Sequence, residues 1–127
     1  MSKTRQELGR WGENLAAEYF LEHGFAIIAR NLRTPYGEID LIAQQPAQIN
    51  EKEIITVFVE VKTRTSHSFG YPEESITPQK RENLISAVEH YLQENPDLGG
   101  FWRIDVIAIE QFPNRDPVIS HFENAIQ

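Results

Sequence analysis

The stretch Thr56-Val57-Phe58-Val59-Glu60-Val61-Lys62 places two charged side chains in a run of β-branched and aromatic residues. Such a run predicts a buried strand, whose side chains alternate between the two faces of a sheet. We therefore expect Glu60 and Lys62 on one face and the three valines on the other. Charges within a buried strand are costly without a partner, so the stretch predicts a site as well as a strand.

A second stretch of this kind, Gly37-Glu38-Ile39-Asp40-Leu41-Ile42-Ala43, precedes the first. The polar segment 44–53 between them predicts a turn, so the two strands form a hairpin. The hairpin brings Asp40 close to Glu60 and Lys62. Two carboxylates and one ammonium at that point either neutralise each other or hold a cation.

Further motifs accompany this pair of strands along the chain. They are Gly12-Glu13-Asn14-Leu15-Ala16, Arg30-Asn31-Leu32-Arg33, Val59-Glu60-Val61-Lys62-Thr63-Arg64, Lys80 and Arg103-Ile104-Asp105-Val106. The ordered set, from about Gly9 to Ile109, resembles the bacterial UPF0102 family, also called the YraN family. That family is similar to the PD-(D/E)xK nucleases and to Holliday-junction resolvases. The chain departs from the superfamily signature in having Ile39 where a proline precedes the aspartate.

The resemblance implies catalytic roles for Asp40, Glu60, Lys62 and Glu13. Asp40, Glu60 and the backbone carbonyl of Val61 would bind Mg²⁺ or Mn²⁺, which prefer oxygen ligands. Lys62 would orient or deprotonate the attacking water, and Glu13 would support the metal site. The implied reaction is metal-dependent endonucleolytic hydrolysis of DNA, including branched DNA, by a homodimer. RNA is the alternative partner. On its helical pattern alone, Glu13 is equally well interpreted as a solvated helix carboxylate.

Four basic residues are candidates for binding nucleic acid: Arg33, Arg64, Lys80 and Arg81. Arg64 begins a polar, hydroxyl-rich loop directly after Lys62, where it could hold phosphate oxygens. Lys80 and Arg81 lie in the first turn of a predicted helix. Positive charge there opposes the helix dipole and is explained by a docked anion or by a pair with Glu73 or Glu74.

Size and composition predict one cytoplasmic domain comprising residues 1–127. The hydrophobic fraction is 40%, no apolar run is long enough to span a bilayer, and the N-terminus lacks an apolar signal segment. The chain has no cysteine, which excludes disulfides and thiolate zinc sites. The four histidines show no metal-ligand spacing, so a zinc site is not expected.

The net charge of −7 at first argues against a nucleic-acid partner. The distribution of the charges along the chain weakens this argument. Residues 1–81 contain 10 basic and 11 acidic side chains, whereas residues 82–127 contain 2 basic and 8 acidic ones. Several of the acids in the first part are the expected metal ligands. The alternative is that this is simply an acidic protein.

The fold class indicated is α/β: a restriction-endonuclease-like mixed sheet of about five strands with helices on both faces. Thr4 and Thr77 are predicted N-caps of two amphipathic helices. Ile39 and Leu41 are expected on one face of their strand and Ile42 on the other. An edge strand is expected over Pro117–Phe122.

Asp105, in another predicted central strand, is assigned a structural role, paired with an arginine of the sheet. Two alternatives to the enzyme stay open. One is a nucleic-acid-binding module with a nuclease fold and little turnover. The other is a structural charge network in which Lys62 neutralises Asp40 and Glu60.

Overall fold

The structure is a computed structural model and describes residues 4–46, 53–65, 76–98 and 100–127. In chain order its helices and strands are α1 (Arg5–Glu22), β1 (Ala26–Thr34), β2 (Gly37–Pro46), β3 (Ile54–Arg64), α2 (Pro78–Glu94), β4 (Phe101–Glu110) and β5 (Val118–Ile126). A single 3-10 turn, Pro96–Leu98, follows α2. None of the described helices is both long and apolar enough to cross a lipid bilayer.

The five strands form one mixed sheet in the order β1-β2-β3-β4-β5. The first three make an antiparallel meander, β3 and β4 are parallel, and β5 returns antiparallel to β4. Because parallel neighbours need a crossover, α2 connects β3 to β4. The predicted edge strand is confirmed as β5, which extends beyond the predicted range to Ile126.

Both helices begin where their capping residues predict. The N–H of Glu7 donates to Thr4 Oγ1 at 3.1 Å, and the N–H of Thr4 donates to Glu7 Oε2 at 3.4 Å, which completes a capping box. The N–H of Lys80 donates to Thr77 Oγ1 at 3.1 Å. These caps confirm both predicted helix starts and set the direction in which Glu13 and Lys80 approach the sheet.

Each face of the sheet carries its own hydrophobic core. On one face, Ala16, Ala17 and Phe20 of α1 pack on Val57 and Val59 of β3. On the other, Leu84, Ala87 and Val88 of α2 pack in one cluster with Phe58 of β3 and with Ile104 and Val106 of β4. The sheet is thus covered on both faces, which confirms the predicted α/β class.

The expected placement of Ile39 is wrong. Ile39 packs in the same cluster as Ile42, against α2, whereas Leu41 packs against α1. The alternation breaks at Asp40, opposite Asn31, which has a left-handed φ of 51° within β1. Asparagine tolerates this conformation better than most residues do, and the resulting local twist lets both strands change face at one point.

The turn of the predicted hairpin and most of the loop after Lys62 lie outside the described residues, as do the proposed partners Glu73 and Glu74. The hairpin itself is confirmed by the β2–β3 pairing.

Candidate active site

Asp40 lies where β2 separates from β3. The paired register of these strands runs from Pro46↔Ile54 to Leu41↔Val59 and stops there. Beyond that point, the N–H of Val61 donates to Asp40 Oδ2 at 2.8 Å. The carboxylate therefore binds a backbone donor that a continued ladder would use, and the separation of the strands opens a cleft beside it.

That cleft, the acid cleft, has a volume of about 340 Å³ and is lined by the predicted catalytic residues Glu13, Asp40, Glu60 and Lys62 together with Lys80. Thus the proximity predicted for Asp40, Glu60 and Lys62 is confirmed, and the structure adds residues from α1 and α2.

Glu60 is buried and contacts two lysines. Its Oε1 lies 2.7 Å from Lys80 Nζ and 3.7 Å from Lys62 Nζ. Lys80 reaches Glu60 because it stands in the first turn of α2, which packs on the Glu60 side of β3. The positive charge at this helix start therefore has a carboxylate partner among the described residues.

Asp40 also belongs to a second group of acids, together with Glu13 and Glu38. Single carboxylate oxygens of Glu13, Glu38 and Asp40 all lie within 4.8 Å of one another. Asn31 stands between two of them: with its amide nitrogen turned to the acids, it donates to Glu13 Oε1 at 2.9 Å and to Glu38 Oε1 at 2.9 Å. One neutral amide therefore links helix α1 to strand β2.

The crowding of acids raises two pKa values. Burial, the charge of Glu60 and the nearby Glu13 and Glu38 raise the pKa of Asp40 to about 7, although the Val61 hydrogen bond acts in the opposite direction. Burial also raises the pKa of Glu13, against the hydrogen bond from Asn31. Both carboxylates therefore hold their protons more tightly than ordinary side chains do.

The two lysines shift in opposite directions. Burial and the neighbouring Lys80 lower the pKa of Lys62. Burial would also lower the pKa of Lys80, but its hydrogen bond to Glu60 prevails and raises it. One lysine is thus held as a cation, while the other is moved toward its neutral form.

The approach of α1 to β3 depends on Gly12. A Cβ added at this buried glycine would lie 2.0 Å from Thr63 Oγ1. Thr63 follows Lys62, and Gly12 precedes Glu13, so this contact sets the distance between two predicted catalytic residues. The same addition at Gly9, one turn earlier, meets no atom within 4 Å.

The predicted nucleic-acid-binding residues are not all in one place. Lys80 lines the acid cleft, and Arg33 lines a neighbouring cleft described below. Arg64 ends β3, where its carbonyl accepts from the N–H of Gln111 at 2.8 Å. Arg81 donates to the backbone oxygen of Gln127 at 3.1 Å, so in the described part of the chain it contacts the C-terminus.

Sequence reasoning missed Glu38 and Asn31 as site residues. Glu38 stands only two positions before Asp40 in the motif 37–43, and this closeness along the chain was the available signal. The position of Asn31 had no such signal, because its left-handed conformation becomes visible only in the structure.

Asp105 has the structural role that was predicted for it. Arg103 Nε donates to its Oδ1 at 2.9 Å, the N–H of Asn124 donates to the same oxygen at 2.9 Å, and His121 Nε2 lies 2.6 Å from Oδ2. With Nε2 donating to Asp105, His121 Nδ1 accepts from the Tyr19 hydroxyl at 3.1 Å. The network joins β4, β5 and α1.

Fold and site together define a small α/β domain with an acid- and lysine-lined cleft where its central hairpin opens. The chain belongs to the UPF0102 family: the model of the family described as "Uncharacterised protein family UPF0102" matches residues 12–109. This confirms the resemblance that the sequence motifs carry.

Relatives in several bacteria support the same placement. A UPF0102 protein of Syntrophomonas wolfei is 46% identical over 104 residues, covering 82% of this chain and 84% of the relative. One of Syntrophotalea carbinolica is 38% identical, covering 98% and 95%. One of Bifidobacterium longum is 40% identical, covering 96% and 94%. The similarity therefore extends over nearly the whole length of these proteins.

Proposed function

We propose that this protein is a metal-dependent endonuclease that hydrolyses phosphodiester bonds in DNA, with branched DNA among its substrates. The observation that carries the proposal is the convergence of Asp40, Glu60 and Lys62 in one cleft. Around them the pKa of Asp40 rises to about 7 and that of Lys62 falls. Strongly perturbed pKa values in a cleft are typical of functional sites.

The donor set fits a hard divalent cation. Glu13, Glu38 and Asp40 offer only oxygen ligands within 4.8 Å of one another, which suits Mg²⁺ or Mn²⁺. Asp40 and Glu60, with Glu13 and Glu38 beside them, would hold the ion, and the Val61 carbonyl stays a predicted ligand. The bound cation would supply Lewis acidity, offsetting negative charge on the phosphate.

The two lysines of the acid cleft would have different roles in the reaction. Lys62, whose pKa is lowered by burial and by Lys80, would orient the attacking water or accept its proton. Lys80 keeps its charge and holds Glu60 in place at 2.7 Å. Two groups of the same type, pushed apart in pKa by their surroundings, fit an assignment of one to proton transfer and the other to charge stabilisation.

The first test is calorimetric titration with Mn²⁺, with and without a branched DNA, followed by a cleavage assay on a panel of substrates. The enzyme predicts metal and DNA binding that strengthen each other, together with cleavage that requires metal. A binding module predicts DNA affinity insensitive to metal. A structural charge network predicts no metal binding, and either of these last two results would refute the proposal.

The second test compares Lys62→Met with Lys62→Arg. Neither variant keeps an amine that can accept a proton from water, so both should lose cleavage by about 10²–10⁴-fold while keeping metal and DNA binding. If Lys62 only neutralises the acids, Lys62→Met destabilises the fold, whereas Lys62→Arg restores both stability and cleavage. Urea unfolding and cleavage on the two variants distinguish these outcomes.

A further inference from the structure

A second cleft lies beside the acid cleft and is lined by arginines. Arg5, Arg10, Arg30 and Arg33 surround a volume of about 560 Å³ between α1 and β1, which we call the arginine cleft. It contains four of the 12 basic residues of a chain whose net charge is −7. Glu13 and Glu38 line the same cleft, so its arginines outnumber its acids four to two in a protein that is acidic overall, which points to an anionic ligand.

Most of these arginines are available to a ligand. Arg5, Arg10 and Arg33 are exposed, and across residues 4–46, 53–65, 76–98 and 100–127 they form no salt bridge. Arg30 donates through its Nη2 to Asn14 Oδ1 at 2.6 Å, a bond that leaves other guanidinium donors unused. Planar guanidinium groups match the paired oxygens of a phosphate.

The two clefts are continuous along α1. Arg5, Gly9 and Glu13, each four residues apart on one face of the helix, line both of them. Gly9 has no side chain at the boundary, and the space above its Cα is open. An extended anion lying among the arginines can therefore pass over Gly9 and reach the acids.

We propose that the arginine cleft binds the phosphodiester backbone of a nucleic-acid strand on one side of the phosphate that is cleaved. This rests on the proposed function for the place of cleavage, but the binding itself depends only on the arginines. Arg5, Arg10 and Arg30 thereby join Arg33 as phosphate contacts. Contacts of this kind set the position of the strand and carry no sequence preference.

The test uses a fluorescently labelled single-stranded DNA and an RNA of the same sequence, in EDTA so that binding is measured without metal-dependent cleavage. The double variant Arg10→Gln/Arg33→Gln removes two exposed charges that form no salt bridge with the described residues. The control is Arg115→Gln, which makes the same change at an exposed position that lines neither cleft. Thermal melting of all three proteins verifies that they are folded.

We expect the double variant to bind roughly 20-fold more weakly at 0.1 M salt. The slope of log affinity against log salt should fall by about 1.4, because each phosphate contact to a single strand releases about 0.7 counterion. The control should stay within about twofold of the unmodified protein, since a distant surface charge changes only the general field. Equal loss for DNA and RNA supports recognition of the shared backbone, and a larger loss for one identifies that strand as the ligand.

A double variant that binds like the Arg115→Gln control would overturn the inference. The experiment tests binding by the arginine cleft separately from the proposed nuclease activity. An unmodified protein that binds through the arginines but cleaves nothing in Mn²⁺ contradicts the nuclease alone. One that cleaves, while the double variant binds unchanged, contradicts the arginine cleft alone.

Discussion

Two aspartates on the strands either side of β3 differ in how the fold treats their charge. Asp105 in β4 is fully buried, yet despite that burial its hydrogen bonds from His121, Arg103 and the Asn124 N–H lower its pKa. Asp40 in β2 accepts a backbone hydrogen bond from Val61, but burial and the neighbouring acids prevail and raise its pKa to about 7. The same side chain is thus stabilised as an anion in one place and destabilised in the other.

The difference separates a structural charge from a functional one. Around Asp105 the fold supplies two side-chain donors and a backbone donor, so the carboxylate has its partners within the chain. Around Asp40 it supplies Glu13, Glu38 and Glu60, and the lysines of the acid cleft do not offset these acids, since the pKa of Asp40 stays raised. An uncompensated charge that a fold retains is a sign of a ligand, which here is the proposed cation.

The largest effect is expected from Asp105→Asn, which removes the anion between Arg103 and His121. We expect the free energy of unfolding to fall by about 3–5 kcal/mol, since the change removes the buried partner of Arg103 and leaves it, among the described residues, only the exposed Glu123 at 3.8 Å. Urea unfolding at pH 7 measures this. The control Asp116→Asn, at an exposed loop position, should stay within about 0.5 kcal/mol.

If Asp105→Asn does not fold, His121→Gln tests the same network more gently. It should cost about 1.5–3 kcal/mol, the usual size of a hydrogen bond to a charged group. A cost near zero in both variants would mean that Asp105 is no better compensated than Asp40.

An intermediate effect is expected from Gly12→Ala, which separates the helix carrying Glu13 from β3. The new methyl would lie 2.0 Å from Thr63 Oγ1, so overpacking should cost about 1–3 kcal/mol. Gly9→Ala places its methyl in open space and should gain about 1 kcal/mol from helix propensity. Unfolding measures both, and Mn²⁺ titration should show weaker binding only in Gly12→Ala.

A second variant, Gly12→Ala/Thr63→Ala, should recover part of the stability, because it removes the hydroxyl that the new methyl meets. Equal stabilities for Gly12→Ala and Gly9→Ala would show that the close approach of α1 to Thr63 is not needed for the site.

The smallest effect is a gain in stability from Asp40→Asn without metal. The amide oxygen still accepts from the Val61 N–H, while the repulsion among the acids is relieved. We expect a gain of about 1 kcal/mol at pH 8, well below the roughly 4 kcal/mol that the full pKa shift corresponds to, because water in the open cleft screens the acids, and loss of Mn²⁺ binding. Unfolding in EDTA gives the first quantity and calorimetry the second. A loss of stability in EDTA would mean that the Asp40 charge is compensated within the fold.

The pH dependence sharpens this result. The pKa of Asp40 in the fold, about 7, lies above its ordinary value of 3.8, so the folded protein binds the extra proton between these values and loses stability as pH rises through them. The slope is at most about 1.4 kcal/mol for each pH unit. The difference between the unmodified protein and Asp40→Asn, measured in EDTA from pH 5 to 8, isolates this contribution.

Asp105 makes no such contribution over that range. Its pKa is lowered in the fold, so its stabilising effect is complete above its ordinary value of 3.8 and is lost only as pH falls below it. A flat difference between Asp40→Asn and the unmodified protein from pH 5 to 8 would contradict the raised pKa of Asp40.

Much of the local structure is readable from the sequence because it depends on neighbours a few positions apart. Thr4 with Glu7, and Thr77 with Pro78, predict where two helices begin, since capping needs only residues within one turn. The apolar alternation of β3 predicts which side chains face α1. One polar turn between two such strands was enough to bring Asp40 to Glu60.

The sequence by itself determined the fold class, the two covered faces of the sheet and the proximity of Asp40 to Glu60 and Lys62, because these follow from periodicity and one hairpin. Only the tertiary structure decided that Asn31 links Glu13 to Glu38, that Lys80 reaches Glu60 and that His121 joins Asp105 to Tyr19. These contacts connect different elements. Their geometry depends on strand register, on a left-handed residue and on how closely a glycine lets a helix approach, none of which has a local pattern in the chain.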